Sequence, residues 1–169
     1  MSPTELEELY DAHANAVHAF VLNLARDESD AADALQEVFH EIARRPAMLN
    51  DVRDPRGFLL RLAHNRAIDA MRRRDARSRA HEALAAESVE LFAATPDPDE
   101  AAWRREIAAA LGELPPDQRA VVHLKLWEGL TFEKIAEVLA IPPNTAASRY
   151  RYGLDKMRER LRPLFEERQ

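Results

Sequence analysis

Between one proline and the next, apolar residues recur at three- and four-residue intervals, and this pattern leaves the chain little to become except a set of amphipathic helices. Leu6, Leu9, Tyr10, His13, Val17, Phe20, Val21 and Leu24 trace the first of them. Capping-type residues over Asp27–Asp30 break the pattern, and Leu35, Val38, Phe39 and Ile42 resume it until Pro46. After a loop from Pro46 to Pro55, a basic helix passes through Phe58, Leu59, Leu62, Ala63, Ala67, Ala70 and Met71 into Arg72, Arg73 and Arg74. No strand competes, because β-branched residues are sparse and no alternating run of useful length occurs.

Residues 75–105 change character, with alanines and acids followed by the run Thr95–Glu100, in which two prolines and three acids resist compaction. A flexible linker is expected over 81–105; an extended segment of about 30 residues reaches roughly 100 Å. Helical spacing then returns from Trp103 to Leu111, stops at Pro115–Pro116, and resumes from Asp117 to Glu128, with Gly129 placed as a left-handed helix end. Thr131 is expected to cap a helix carrying Phe132, Ile135, Val138 and Leu139. After the Pro142–Pro143 turn, Asn144 or Thr145 is expected to cap a last helix ending near Leu161. The expected fold is therefore all-α: two small helical domains, 1–80 and 106–169, joined by the 81–105 linker. Halves of about 60–80 residues are too short to bury a large core and should be modestly stable alone.

Several chemistries are excluded by what the chain contains. It has no cysteine, so disulfides, thiol catalysis, iron–sulfur clusters and thiolate zinc sites are out. Its four glycines, Gly57, Gly112, Gly129 and Gly153, make neither a GxGxxG nor a P-loop. The six histidines are scattered, no HExxH occurs, and Glu37 with His40 forms a lone carboxylate–imidazole pair without the second that a bundle metal site needs. No catalytic residue, metal ligand or cofactor is expected. No apolar run approaches the roughly 18 residues of a membrane span, and the acidic start MSPTELEELYDAH reads as neither a secretory signal nor a transit peptide, so the expected location is the cytoplasm.

Net charge is −6, yet the charge is not evenly spread. Residues 1–55 carry 4 basic and 12 acidic side chains, 56–79 carry 8 and 2, 82–106 carry 2 and 7, and 141–162 carry 6 and 2. Two basic islands thus stand in an acidic chain, each able to neutralise several phosphates, which is where most nucleic-acid affinity comes from. Such a map fits a protein that touches nucleic acid at two places and another partner elsewhere.

Three local features carry this further. Residues 131–139 and 145–161, joined by a tight turn, have helix-turn-helix logic: the second helix would present Thr145, Ser148, Arg149 and Arg151 to a major groove. The same pattern suits an antiparallel hairpin with a solvated basic face. In the Phe58–Arg74 helix, Arg61, Asn65 and Arg72 fall within about 40° of one another, with Arg66, Arg73, Arg74, Arg77 and Arg79 beside them. That face could follow a backbone while the Pro46–Pro55 loop holds an unstacked base; a basic helix end also simply complements the helix dipole. The acidic second helix offers Gln36, Glu37 and Glu41 to a basic protein partner, or to water.

Taken together, these residues resemble the bacterial sigma factors of the extracytoplasmic-function type, over almost the whole chain. Asp30-Ala-Ala-Asp33-Ala-Leu-Gln36-Glu37-Val-Phe39 is similar to the family's D-A-E-D-x-x-Q-E-x-F segment. Phe58-Leu59-Leu60-Arg61-Leu62-Ala63-His64-Asn65-Arg66-Ala67-Ile68-Asp69 is similar to W-L-x-x-I-A-x-N-x-A-x-D. Leu114–Arg119 and Glu128–Ala136 resemble the second domain. The resemblance implies a promoter-directing transcription initiation factor, not an enzyme, whose partners are RNA polymerase core (β′ clamp helices and β flap), promoter DNA and an anti-sigma factor, without membrane insertion. Residues 1–80 would be a region 2-like domain and 106–169 a region 4-like one. Polymerase binding would fall to Asp33, Gln36, Glu37 and Phe39. Minus-ten recognition and melting would fall to Arg61, Asn65, Arg66, Arg72 and Arg73, and minus-thirty-five recognition to Asn144, Thr145, Ser148, Arg149 and Arg151. Ala147 and Tyr152 depart from basic residues common in the family's recognition helix, and Phe58 and Ala140 from its usual tryptophan and glycine. A conventional helix-turn-helix repressor would need a dimer seam, and no heptad pattern is visible.

Overall fold

The computed structural model describes residues 1–78, 92 and 94–167, and the regular elements among them are all helical. Ser2 closes a capping box on α1 (Pro3–Ala25): its hydroxyl accepts from the Glu5 amide, and the Glu5 carboxylate accepts from the Ser2 amide. The helix ends at Arg26, whose backbone is left-handed (φ 60°) and whose amide returns to the Leu22 carbonyl. Asp27 then caps α2 (Glu28–Arg44) by accepting from the Asp30 amide at 2.8 Å. The break expected over Asp27–Asp30 is thus only two residues long, since an N-cap allows the chain to re-enter a helix at once. A short 3-10 turn (Pro46–Leu49) leads to α3 (Pro55–Ser78), where the Asp54 carboxylate accepts from the Gly57 amide at 3.1 Å.

The three helices pack pairwise around Val17, Phe20, Val21, Leu24, Val38, Ile42, Leu59, Leu60, Ala63 and Ala67. Arg74 ties the far end of α3 to the α1–α2 corner through Asp27 at 2.9 Å, Asp30 and the Ala25 carbonyl.

The second half contains α4 (Pro98–Glu113), α5 (Pro116–Leu126), α6 (Phe132–Leu139) and α7 (Pro143–Glu166). Helix α4 begins inside the stretch expected to be linker, so residues 98–105 are helical. The prolines and acids that read as resisting structure act as a start signal. The Asp97 carboxylate accepts from the Asp99 and Glu100 amides, Pro98 sits in the first turn, and the acids there complement the helix dipole. Residues 79–91 and 93, most of the remaining linker, lie outside the described residues. Gly129 is left-handed (φ 65°), and Thr131 caps α6 by accepting from the Lys134 amide at 3.2 Å. Neither Asn144 nor Thr145 caps α7: the helix starts at Pro143 without a side-chain cap, because proline has no amide hydrogen to satisfy there and its φ is already helical. Gly153 lets α7 approach α5 closely, since a Cβ there would lie 2.8 Å from Val122 Cγ2.

The halves are packed on each other, with α1 against α5 and α3 against α6. One continuous core runs from Val17, Phe20 and Leu24 through Val121 and Leu124 to Ile135 and Val138, while Leu111, Leu114, Val122, Met157 and Leu161 form a second, smaller core of α4, α5 and α7. Polar groups are buried along the seam. Asn23 (1% exposed) donates through Nδ2 to Nδ1 of His123 (3% exposed) at 2.9 Å. Arg119 donates to the Leu24 carbonyl at 2.9 Å and to the Gly112 carbonyl at 3.1 Å; burial, with Arg26 nearby, pushes its guanidinium down to about 10. Arg56 of α3 pairs with Glu128 after α5. Burial alone would raise the Glu128 carboxyl, but His123 and Arg56 outweigh it and hold it below the ordinary value. Among the described residues, no helix is long and apolar enough to cross a membrane.

Candidate polymerase and nucleic-acid interfaces

Helix α2 has one wholly solvent-facing side because its apolar residues, Ala31, Ala34, Val38 and Ile42, all turn to α1 and α3. Asp33, Gln36 and Glu37 stand on the outer side, joined by His40 and Arg44. Phe39 is at the edge and only 7% exposed, because the Tyr10 ring of α1 packs edge-on against it with centroids 4.9 Å apart. Tyr10 itself is 44% exposed and lines a shallow groove with Leu6, Glu7, Asp11 and Phe39. The aromatic surface available beside the acidic face therefore belongs mainly to Tyr10. Spacing alone does not mark it: Tyr10 falls in the apolar pattern of α1, and only the packing shows that it lies at the stripe's edge.

On α3, Arg61, Asn65 and Arg72 are all exposed on one face, with Arg73 beside it and the Arg61 guanidinium 5.7 Å from the centre of the Phe58 ring. Arg66 is not brought together with them. It lies on the α2 side of the helix, where Nε is 3.6 Å from Glu37 and Nη2 is bonded to Glu41. Arg56 and Arg74 are likewise neutralised by acids, so among the described residues of this basic island it is Arg61, Arg72, Arg73 and Arg77 that make no ion pair. Arg79 lies outside the described residues. Asp51, Asp54, Phe58 and Arg61 line a cleft at the start of α3, and Lys134 and Val138 of α6 form its far wall, Lys134 Nζ being 3.7 Å from Asp54 Oδ2.

Helix α7 divides its candidate residues between two sides. Asn144 and Arg151 are exposed, and the half-buried Ser148 donates its hydroxyl to the Asn144 carbonyl at 2.9 Å. The Arg151 guanidinium lies 5.3 Å from the Tyr152 ring centre, and Tyr152 is among the most exposed large side chains. Thr145 is half-buried in the first turn. Arg149 leans the other way: Nε is 3.4 Å from Asp117 Oδ2, in a largely apolar groove shared with His64 and Ile68 of α3. Burial, and then the positive charge of Arg149, hold the His64 ring below the ordinary imidazole range.

Comparison with known proteins matches two families in succession along the chain. The sigma-70 region 2 family matches residues 9–77, and the sigma-70 region 4 family matches residues 104–157. The RNA polymerase sigma factor CarQ of Myxococcus xanthus is 32% identical over 157 residues, covering 92% of this chain and 88% of its own. The ECF RNA polymerase sigma factor SigL of Mycobacterium tuberculosis is 33% identical over 161 residues, covering 94% and 90%. Among solved structures, the sigma factor RpoE from Bartonella quintana, in complex with the anti-sigma factor NepR, shares the fold at a TM-score of 0.80 and 20% identity, over 94% of this chain and 97% of that one. CnrH, in complex with the cytosolic domain of CnrY, does so at 0.66 and 19% identity, over 96% and 90%.

Proposed function

Because the chain belongs to the extracytoplasmic-function family of RNA polymerase sigma factors, we infer that it is a promoter-directing transcription initiation factor whose two halves divide the work between polymerase and DNA. The observation that carries this is the order of the two family segments along a chain whose charge is divided between elements: acidic α2, cationic α3, cationic α7.

Residues 1–80 serve as the region 2-like domain, 81–105 as the connection and 106–169 as the region 4-like domain. Asp33, Gln36 and Glu37, with Phe39 behind them, meet the β′ clamp helices of polymerase core, while the second domain meets the β flap. Arg61, Asn65, Arg72 and Arg73 engage the opened minus-ten strand, where stacking and backbone charge together stabilise single-stranded DNA; Arg66 supports that face from the α2 side. Asn144, Thr145, Ser148, Arg149 and Arg151 address the minus-thirty-five element. An anti-sigma factor is a further partner, by likeness to the two sigma factors whose structures contain one. The protein works in the cytoplasm with polymerase and catalyses no reaction of its own.

Run-off transcription on the gene's own upstream region, with bacterial core polymerase, tests the reading. A discrete transcript is expected only when both protein and core are present. No protein-dependent transcript, together with no measurable association with core, would remove it.

A further inference from the structure

Two tyrosines on α7 have opposite fates. The Tyr150 ring is half-buried and packs edge-on against Phe132 of α6 with centroids 5.5 Å apart, whereas Tyr152 is 55% exposed and belongs to neither core. A single exposed ring is ordinary on a protein surface, so its place on the helix has to say whether it has a partner. At about 100° per residue, Tyr152 falls about 20° from Thr145 and about 40° from Ser148, and the three form one stripe, with Asn144 and Arg151 as a parallel pair beside it. Along the axis Tyr152 lies about 4.5 Å beyond Arg149.

The position is also a fixed one. Gly153, next in sequence, is buried against α5, where a Cβ would stand 2.8 Å from Val122 Cγ2. The Arg151 guanidinium lies over the Tyr152 ring, 5.3 Å from its centre, and such a cation–π contact holds both side chains in place. Further along the same side stand the exposed acids Asp155 and Glu159, whose carboxylates DNA phosphates repel. Tyr152 is therefore the last side chain of the stripe suited to enter a groove.

Among the base edges of the major groove, the C5-methyl of thymine is the apolar feature, and apolar side chains recognise it. Ser148, Arg149 and Arg151 offer polar groups instead, which suit hydrogen-bonding edges and phosphates. We propose that Tyr152 is a further specificity residue of α7, whose ring, braced by Arg151, reads a thymine methyl group in the minus-thirty-five element. The proposal rests on the sigma-factor reading above and adds to its polar contacts a selection for thymine over cytosine at one position.

Deoxyuridine keeps the hydrogen-bonding edge of thymine and lacks its methyl group, so it isolates this contact. The full chain with core polymerase is bound to a fragment of the gene's own upstream region that spans the minus-thirty-five segment, each thymine there being replaced in turn by deoxyuridine. With wild-type protein, replacement at one position is expected to lower affinity about fourfold, the worth of burying one methyl group. With Tyr152→Ala the same replacement should change nothing, and Tyr152→Phe should restore the penalty, because the ring and not the hydroxyl makes the contact. Helicity and thermal unfolding should be unchanged in both variants, since Tyr152 enters neither core. Absence of any deoxyuridine-sensitive thymine with wild-type protein, an equal penalty in Tyr152→Ala, or its loss in Tyr152→Phe would overturn the proposal. Run-off transcription by the wild-type protein tests the parent reading separately: with a transcript but no methyl dependence only the Tyr152 contact fails, and with no protein-dependent transcript both readings fall.

Discussion

The outer face of α2 and the sides of α3, α6 and α7 proposed to meet DNA are both charged, yet they are treated differently by the fold. Asp33, Gln36 and Glu37 are exposed, and among the described residues nothing of the second half covers them, whereas Arg149 and the cleft beside Phe58 are each opposed by the other half. The difference arises from what lies behind each face. Helix α2 spends its apolar side entirely on α1 and α3, while α1 and α3 also carry apolar surface toward α5 and α6. Burial of that surface draws the second half onto the first, and Arg149 and the cleft beside Phe58 lie nearest the line of contact. The surface proposed for polymerase is thereby left open, while Arg149 and the cleft beside Phe58 are partly covered.

The contrast is most easily destroyed at Glu37. Replacing it with lysine reverses charge on the open face and sets a cation beside Arg66, whose Nε now lies 3.6 Å from the Glu37 carboxylate. Like charges at an interface cost several kcal/mol, so association with core polymerase should fall by about a hundredfold or more. Helicity and thermal stability should hardly move. Competition for labelled core polymerase reads this directly, and wild-type affinity in Glu37→Lys would show that the open face has another use.

On the closed side, His123→Ala should act on stability instead. It removes a ring buried between Phe20 and Trp127 and leaves the Asn23 amide without its acceptor, which together should cost about 3 kcal/mol. Urea unfolding of the full chain measures it. A loss confined to a few tenths of a kcal/mol would mean that the halves part easily in solution.

How much of this could be read from the sequence depended on whether a signal was local. Asp27 and Thr131 cap helices through their own side chains, and Gly129 takes the backbone that its place requires, so all three were legible or nearly so from spacing, whereas the Ser2 capping box on α1 was not read. At Asp97–Glu100 the composition pointed to disorder while the same residues are a helix start, because the two signals use one alphabet and only the helical run behind them, Trp103 to Leu111, tips the balance. The seam was not legible at all. His123, Arg119 and Asn23 lie 95 to 100 residues from their partners across the seam, and in helical spacing a polar residue on an apolar flank has no mark that says which helix it faces. For the same reason Arg66 and Arg149 looked equivalent to their neighbours, although each is turned to a carboxylate on another helix.

Arg149 gives a narrower test of what the closed side hides. If it reads a base edge once the halves part, Arg149→Ala should flatten discrimination among minus-thirty-five variants by about 1–3 kcal/mol, the worth of a bidentate arginine–guanine pair. Arg158, exposed and paired with Asp155 at 3.4 Å, lies about 13 Å further along the helix at 1.5 Å per residue. Arg158→Ala should weaken all variants alike and only slightly. A binding panel over systematically mutated promoter fragments in the presence of core separates the two patterns, and the reverse assignment would move the reading register along α7.

The smallest effect should be the most local one. His64 belongs to α3, stacks on Phe20 at 6.3 Å and faces Arg149 across the groove, while Asn65 beside it favours the charged ring by hydrogen bonding. Burial is the largest cause of its lowered proton affinity, the Arg149 charge is the next, and both outweigh Asn65. An open chain therefore takes up a proton at His64 nearer the ordinary 6.5 than the closed chain does. Closure is fully supported above that value and weakened as pH falls below it, until the closed form also titrates. Ring-proton NMR titration of the histidines should then place His64 lower in wild type than in Arg56→Glu, with Arg149→Ala in between, because that change removes the charge and leaves most of the burial. Coincident titration of His64 in wild type and Arg56→Glu would show that the Arg56–Glu128 pair does not control how closely α3 and α7 approach.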